Sequence, residues 1–116
     1  MEDSIRACIA LIAAGVVKNR LSDSVYDYAQ SKHVSISGRI SGKNVEVYDY
    51  DRKCHVSGTL PDLYDYGRKC HVSLEMKDNK FSGYDYGQGK HFEGSVSGNS
   101  ISIYDYGCSS YYSYSV

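Results

Sequence analysis

From Ser24 to the end of the chain, polar and apolar residues alternate almost one for one; before Ser24 they do not. Between residues 33 and 40, Val34, Ile36, Gly38 and Ile40 fall on one side, and His33, Ser35, Ser37 and Arg39 on the other. The same split recurs for Val72, Leu74 and Met76 against His71, Ser73 and Glu75. A period of two predicts strands with one buried face. The first twenty-one residues follow another period. Ile5, Ile9, Ile12 and Val16 form one stripe at helical spacing, and the opposite side is small: Ala7, Ala10, Ala14 and Val17. This predicts a helix over 1–21 covered on more than one side, with Asp3 or Ser4 as its cap and Cys8 as a small buried residue.

The strand region is built on one tripeptide used five times, Tyr-Asp-Tyr at 26–28, 48–50, 64–66, 84–86 and 104–106. A His follows the first four copies at a fixed distance, as His33, His55, His71 and His91; Tyr111 takes that place after the fifth. Every stretch from one His to the second Tyr of the next motif has an even length. Each therefore folds about its centre into a hairpin, with loops predicted at Ser41-Gly42, Leu60-Pro61, Asp78-Asn79 and Gly98-Asn99. Gly and Asn suit three of these, while a wider Thr59–Asp62 turn is expected at the second. The folding matches apolar with apolar, Val96 with Ile101, Met76 with Phe81 and Ile36 with Val47.

The expected fold is mainly β with one N-terminal α-helix, a single domain over 1–116. Residues 24–116 form an antiparallel meander of about ten short strands, near 24–28, 33–40, 44–50, 55–59, 62–66, 71–76, 81–86, 91–96, 101–106 and 111–115. An outward row is read as Tyr28, His33, Tyr50, His55, Tyr66, His71, Tyr86, His91, Tyr106 and Tyr111. The inward row behind it is Asp27, Val34, Asp49, Val56, Asp65, Val72, Asp85, Phe92, Asp105 and Tyr112. Gly58, Gly83 and Gly94 are expected to leave room for the helix, around which the sheet curves or closes as a barrel. That register has no net stagger, which a closed barrel requires; bulges at Gly67, Gly87 and Gly107 are one source of it. The alternative is a β-solenoid capped by the helix, which would stack the five aspartates as a ladder of like charge.

Composition adds little to fold and something to function. The chain has 13 Lys+Arg, 14 Asp+Glu and a net charge of −1, well mixed, so neither nucleic acid nor a membrane surface is expected as a partner. The start Met-Glu-Asp-Ser-Ile-Arg is not a positively charged leader, and the run from Ala7 to Val17 is too short to span a bilayer. With four cysteines and no such leader, a reduced, cytoplasmic protein is expected rather than a secreted one.

The repeated aspartates, each ending a strand beside a turn, are expected to accept hydrogen bonds from the free N–H groups of the link. Five equivalent copies argue against a singled-out catalytic pair. Cys54-His55 and Cys70-His71 hold zinc-like donors, yet neighbours in a strand point apart, so metal ligation or thiol catalysis is the weaker alternative. No cofactor is expected. The strongest lead is the aromatic surface: Tyr28, His33, Tyr50, His55, Tyr66, His71, Tyr86, His91 and Tyr106 as ligand-binding residues of a non-catalytic module, whose partner is a protein or a saccharide. Self-assembly into a homo-oligomer through a β-edge near Ser113–Val116 is the second expectation.

Overall fold

In a computed structural model describing residues 1–116, the repeats form a closed ten-stranded antiparallel barrel with a helix through its lumen. The helix, α1, spans Asp3–Lys18. The strands are β1 (Ser24–Asp27), β2 (Lys32–Ser41), β3 (Asn44–Asp49), β4 (Cys54–Thr59), β5 (Asp62–Asp65), β6 (Cys70–Lys77), β7 (Lys80–Asp85), β8 (Lys90–Ser97), β9 (Ser100–Asp105) and β10 (Ser110–Ser115). Consecutive strands are neighbours, and β1 closes on β10. The solenoid is thereby excluded: every pairing is antiparallel, and an intervening strand separates successive aspartates.

Everything from Ile5 to Gly15 is buried, on all sides of α1, which is what a helix without a polar face requires. Ile5, Ile9 and Ile12 join the inward valines and isoleucines of the wall in one core of 25 residues. The helix starts without a side-chain cap; Glu2 occupies the cap position, so neither Asp3 nor Ser4 fills that role. It stops at Lys18 rather than Leu21, because Asn19 turns left-handed (φ 55°) and the Asn19 and Arg20 amides bond back to the last turn. No helix is long and apolar enough to cross a membrane.

Three hairpin loops fall where the sequence places them, at Leu60-Pro61, Asp78-Asn79 and Gly98-Asn99. The second is not widened: Thr59 pairs with Asp62 around a cis Leu60–Pro61 peptide. The first is displaced by one residue to Gly42-Lys43, with Gly42 at φ 61°. Val47 therefore meets Gly38, and Ile36 meets Asp49, instead of the expected Ile36–Val47 pair. Val96–Ile101 and Met76–Phe81 are paired as expected.

The other end of the barrel departs further. At every link it is the first Tyr of the motif that faces the following His: Tyr26 with His33, Tyr48 with His55, Tyr64 with His71, Tyr84 with His91, and Tyr104 with Tyr111. Each link is offset by two residues from the expected register, and these repeated steps supply the stagger that closure needs. Asp27 and Asp49 accordingly face Lys32 and Cys54 across the links, not Val34 and Val56. The backbone turns left-handed just before each following strand, at Ser31, Lys53, Lys69, Gly89 and Ser109, and not at Gly67, Gly87 or Gly107.

The inward glycines do not make space for the helix. Gly83 lies opposite Phe92 and Gly94 opposite Phe81, and a Cβ on either would sit 2.5 Å from the facing ring. A Cβ on Gly58 would instead meet the Asp62 carbonyl, at 2.3 Å. Room for the helix comes from the helix itself, through Ala7, Ala10, Ala13, Ala14 and Gly15.

Candidate functional site

The five motif aspartates are all buried at the link end of the lumen. One oxygen of each closes its own link, as the sequence implies. Asp27, Asp49, Asp65, Asp85 and Asp105 accept from the amides of Ala29, Asp51, Gly67, Gly87 and Gly107 at 2.9–3.0 Å. The second oxygen has a role that the sequence reading missed. Arg52 bonds Asp49 through Nε (2.9 Å) and Asp65 through Nη1 (2.9 Å). Arg68 repeats this from Asp65 (2.6 Å) to Asp85 (2.9 Å). Asp105 is held by the Met1 ammonium (2.9 Å) and by Arg6 of the helix (Nη2, 3.1 Å). Asp-x-x-Arg, occurring twice in equivalent links, was the available signal; so was Arg6, the one polar residue in the otherwise apolar stretch 5–15 of the helix.

Burial opposes ionisation of Asp65, but Arg52 and Arg68 outweigh it and hold its carboxyl below the ordinary range. Burial likewise opposes ionisation of Asp105, and the ammonium, the Gly107 amide and Arg6 bring it down. Asp27 differs. It has Gln30 where Asp49 and Asp65 have Arg, and its Oδ2 has no partner. The belt is therefore an ionic clamp on the links and the helix start, with each paired carboxylate committed to structure.

Outside, the rings form five equivalent clusters. In each, the first Tyr packs edge-to-face against the second and against the following His, or against Tyr111 in the fifth. Centroids lie 4.6–5.0 Å apart at 63–78°. Tyr26, Tyr48, Tyr64, Tyr84 and Tyr104 are thus the centres of the clusters, and the sequence reading left them out. Parity already placed both tyrosines of a motif on one face, which was the signal. The outer rings stand in solvent, from Tyr106 at 48% exposed to Tyr86 at 61%, with Tyr111 at 75%. All four histidines are exposed.

The expected continuous outward row is therefore divided. Tyr50 does not join the His55 strand across the link, whereas the Tyr66, Tyr86 and Tyr106 amides donate to the His55, His71 and His91 carbonyls across the hairpins. Polar anchors set some of the outer rings: Ser37 donates to Tyr50 Oη at 3.0 Å, and Tyr106 donates to Glu93 at 2.9 Å.

Comparison with protein-family models, with curated proteins and with solved structures returns no match in any of the three. Function rests on the geometry alone.

The donors of the metal alternative, Cys54, His55, Cys70 and His71, are not brought together. Each cysteine is half-buried beside a glycine of the next link while its histidine faces out, and no three His, Cys, Asp or Glu side chains are arranged so that they could hold a metal ion. All four thiols are free. Burial pushes the Cys54 and Cys70 thiols up, against thiolate chemistry at neutral pH.

Proposed function

We propose that the protein is a non-catalytic binding module that captures a protein or saccharide ligand on the tyrosine- and histidine-bearing outer surface of its barrel. One observation carries this reading: a repeated exposed aromatic cluster, held edge-to-face, on a wall whose rigidity comes from closure and the ionic belt. Rings fixed in advance lose little entropy on contact, and phenols offer both an apolar face and a hydroxyl. Free, half-buried cysteines suit a reducing, cytoplasmic setting. Self-association through Ser113–Val116 has less support, since β10 already pairs with β9 and β1.

The test is capture on mixed arrays of peptides and oligosaccharides by two variants. One carries Tyr→Ser at Tyr50, Tyr66 and Tyr86; the other at Tyr28 and Tyr106. With circular dichroism showing an intact barrel, capture is expected to disappear in at least one. Full capture by both would refute the reading.

A further inference from the structure

We infer that the wall formed by β6 to β10 is a binding trough for a neutral oligosaccharide; this rests on the binding-module reading and narrows it to one side of the barrel. Two open grooves, of about 670 and 780 Å³, run into one another there, since both are bordered by Glu75, Ser82 and Glu93. The sheet register explains the shape. Glu75, Ser82, Glu93, Tyr104 and Tyr111 are successive cross-strand neighbours, one from each of five strands. Strand spacing makes this row roughly 19 Å long. Beside it, Ser95, Ser102 and Ser113 continue as a second row of short hydroxyl side chains, which keeps the floor low.

A chain lying along the first row would meet a carboxylate, a hydroxyl, a second carboxylate and then two rings. Carboxylates accept from paired sugar hydroxyls, serines both donate and accept, and the faces of phenol rings pack on the C–H faces of pyranoses. Glu93 is already oriented, because Tyr106 donates to one of its oxygens at 2.9 Å. Charge argues against other polymers. Glu75 and Glu93 lie among Lys77, Lys80 and Lys90, so the lining offers no strong net pull on either an acidic or a basic chain. A peptide strand has no sheet edge to join in a closed barrel.

The test titrates the whole protein with neutral hexasaccharides (β-1,4-glucose, β-1,4-xylose, β-1,4-N-acetylglucosamine, β-1,4-mannose and α-1,4-glucose), with hexagalacturonate and a mixed peptide pool as rivals. Saturable binding of at least one neutral hexamer is expected, with NMR shifts at the rings of Tyr104, Tyr106 and Tyr111. Glu93→Gln should weaken it about tenfold, the scale of one charged hydrogen bond, and Ser82→Leu should abolish it by filling the floor. Both sites are exposed, so both variants keep the fold. No binding by any neutral hexamer, preference for hexagalacturonate or peptides at this row, or indifference to both substitutions would overturn the inference. Binding that moves only Tyr50 and Tyr66 would overturn the trough and leave the binding module standing. Capture of no probe of any class would remove both.

Discussion

At the scale of single residues, the motif aspartate performs two tasks with two oxygens. Asp65 shows this best, with its link amide on one oxygen and both Arg52 and Arg68 on the carboxylate. Asp65→Asn would leave two largely buried guanidinium groups short of their anion, at a cost of about 3 kcal/mol. Urea titration measures it. The folded carboxyls of Asp65 and Asp105 ionise below the ordinary value of 3.8. Their contribution to stability is therefore complete above the unfolded value and is lost as pH falls through the folded one. The urea midpoint should stay level from pH 7 to about 5 and fall below about 4, and Asp65→Asn should show the smaller fall. A variant with the same acid sensitivity as the parent would contradict this account. Asp27 supplies the converse case. Gln30→Arg puts a guanidinium at the place that Arg52 and Arg68 occupy in their links, between Asp27 with its unpaired Oδ2 and Asp49. A gain of about 1 kcal/mol is expected, read as a higher Tm; no gain would mean that the first link cannot seat the fork.

At the scale of elements, strands and hairpins were legible because alternation survives everywhere in the wall. The offset of the links was not legible, for a definite reason. A slip of two residues keeps every side chain on its own face, so the polar pattern is blind to it; only a slip of one would be visible. Tyr48 facing His55, and Gly38 facing Val47, are both slips of this kind. Arg52 and Arg68 escaped for another reason: they sit in links, where alternation stops. The ring clusters were half legible, since the row was drawn through the outer tyrosines rather than through their centres. The inward glycines were visible but misread. Their neighbours are rings and carbonyls, so Gly83→Ala would drive a Cβ to 2.0 Å from the Ser73 carbonyl oxygen and 2.5 Å from Phe92. A loss of about 2 kcal/mol or more is expected. Gly98→Asn should cost under about 1 kcal/mol, because that loop is open space and Asn accepts its φ of 58°.

At the scale of the whole molecule, closure is what turns ten short strands into one rigid wall, and it is not equally firm all round. β8 and β9 pair over six positions, from Phe92–Asp105 to Ser97–Ser100. β1 and β10 pair at two, Tyr26–Ser115 and Asp27–Tyr114, helped by the Tyr28 amide donating to the Ser113 carbonyl. The second of those pairs also carries two of the buried polar atoms without partners, Asp27 Oδ2 and Tyr114 Oη. A short ladder and unpaid desolvation coincide at one seam, and both lower the free energy needed to part it. Native-state hydrogen exchange should therefore find the Tyr28 amide, which closes the seam, among the least protected in the barrel wall, well below Ile101 and Ile103. Gln30→Arg should slow exchange at the seam and leave β8–β9 unchanged, since it acts on Asp27 and Asp49, which lie in β1 and β3. Equal protection all round would mean that the helix in the lumen, gripping Asp105 through Arg6 and the Met1 ammonium, holds the wall shut without help from the seam.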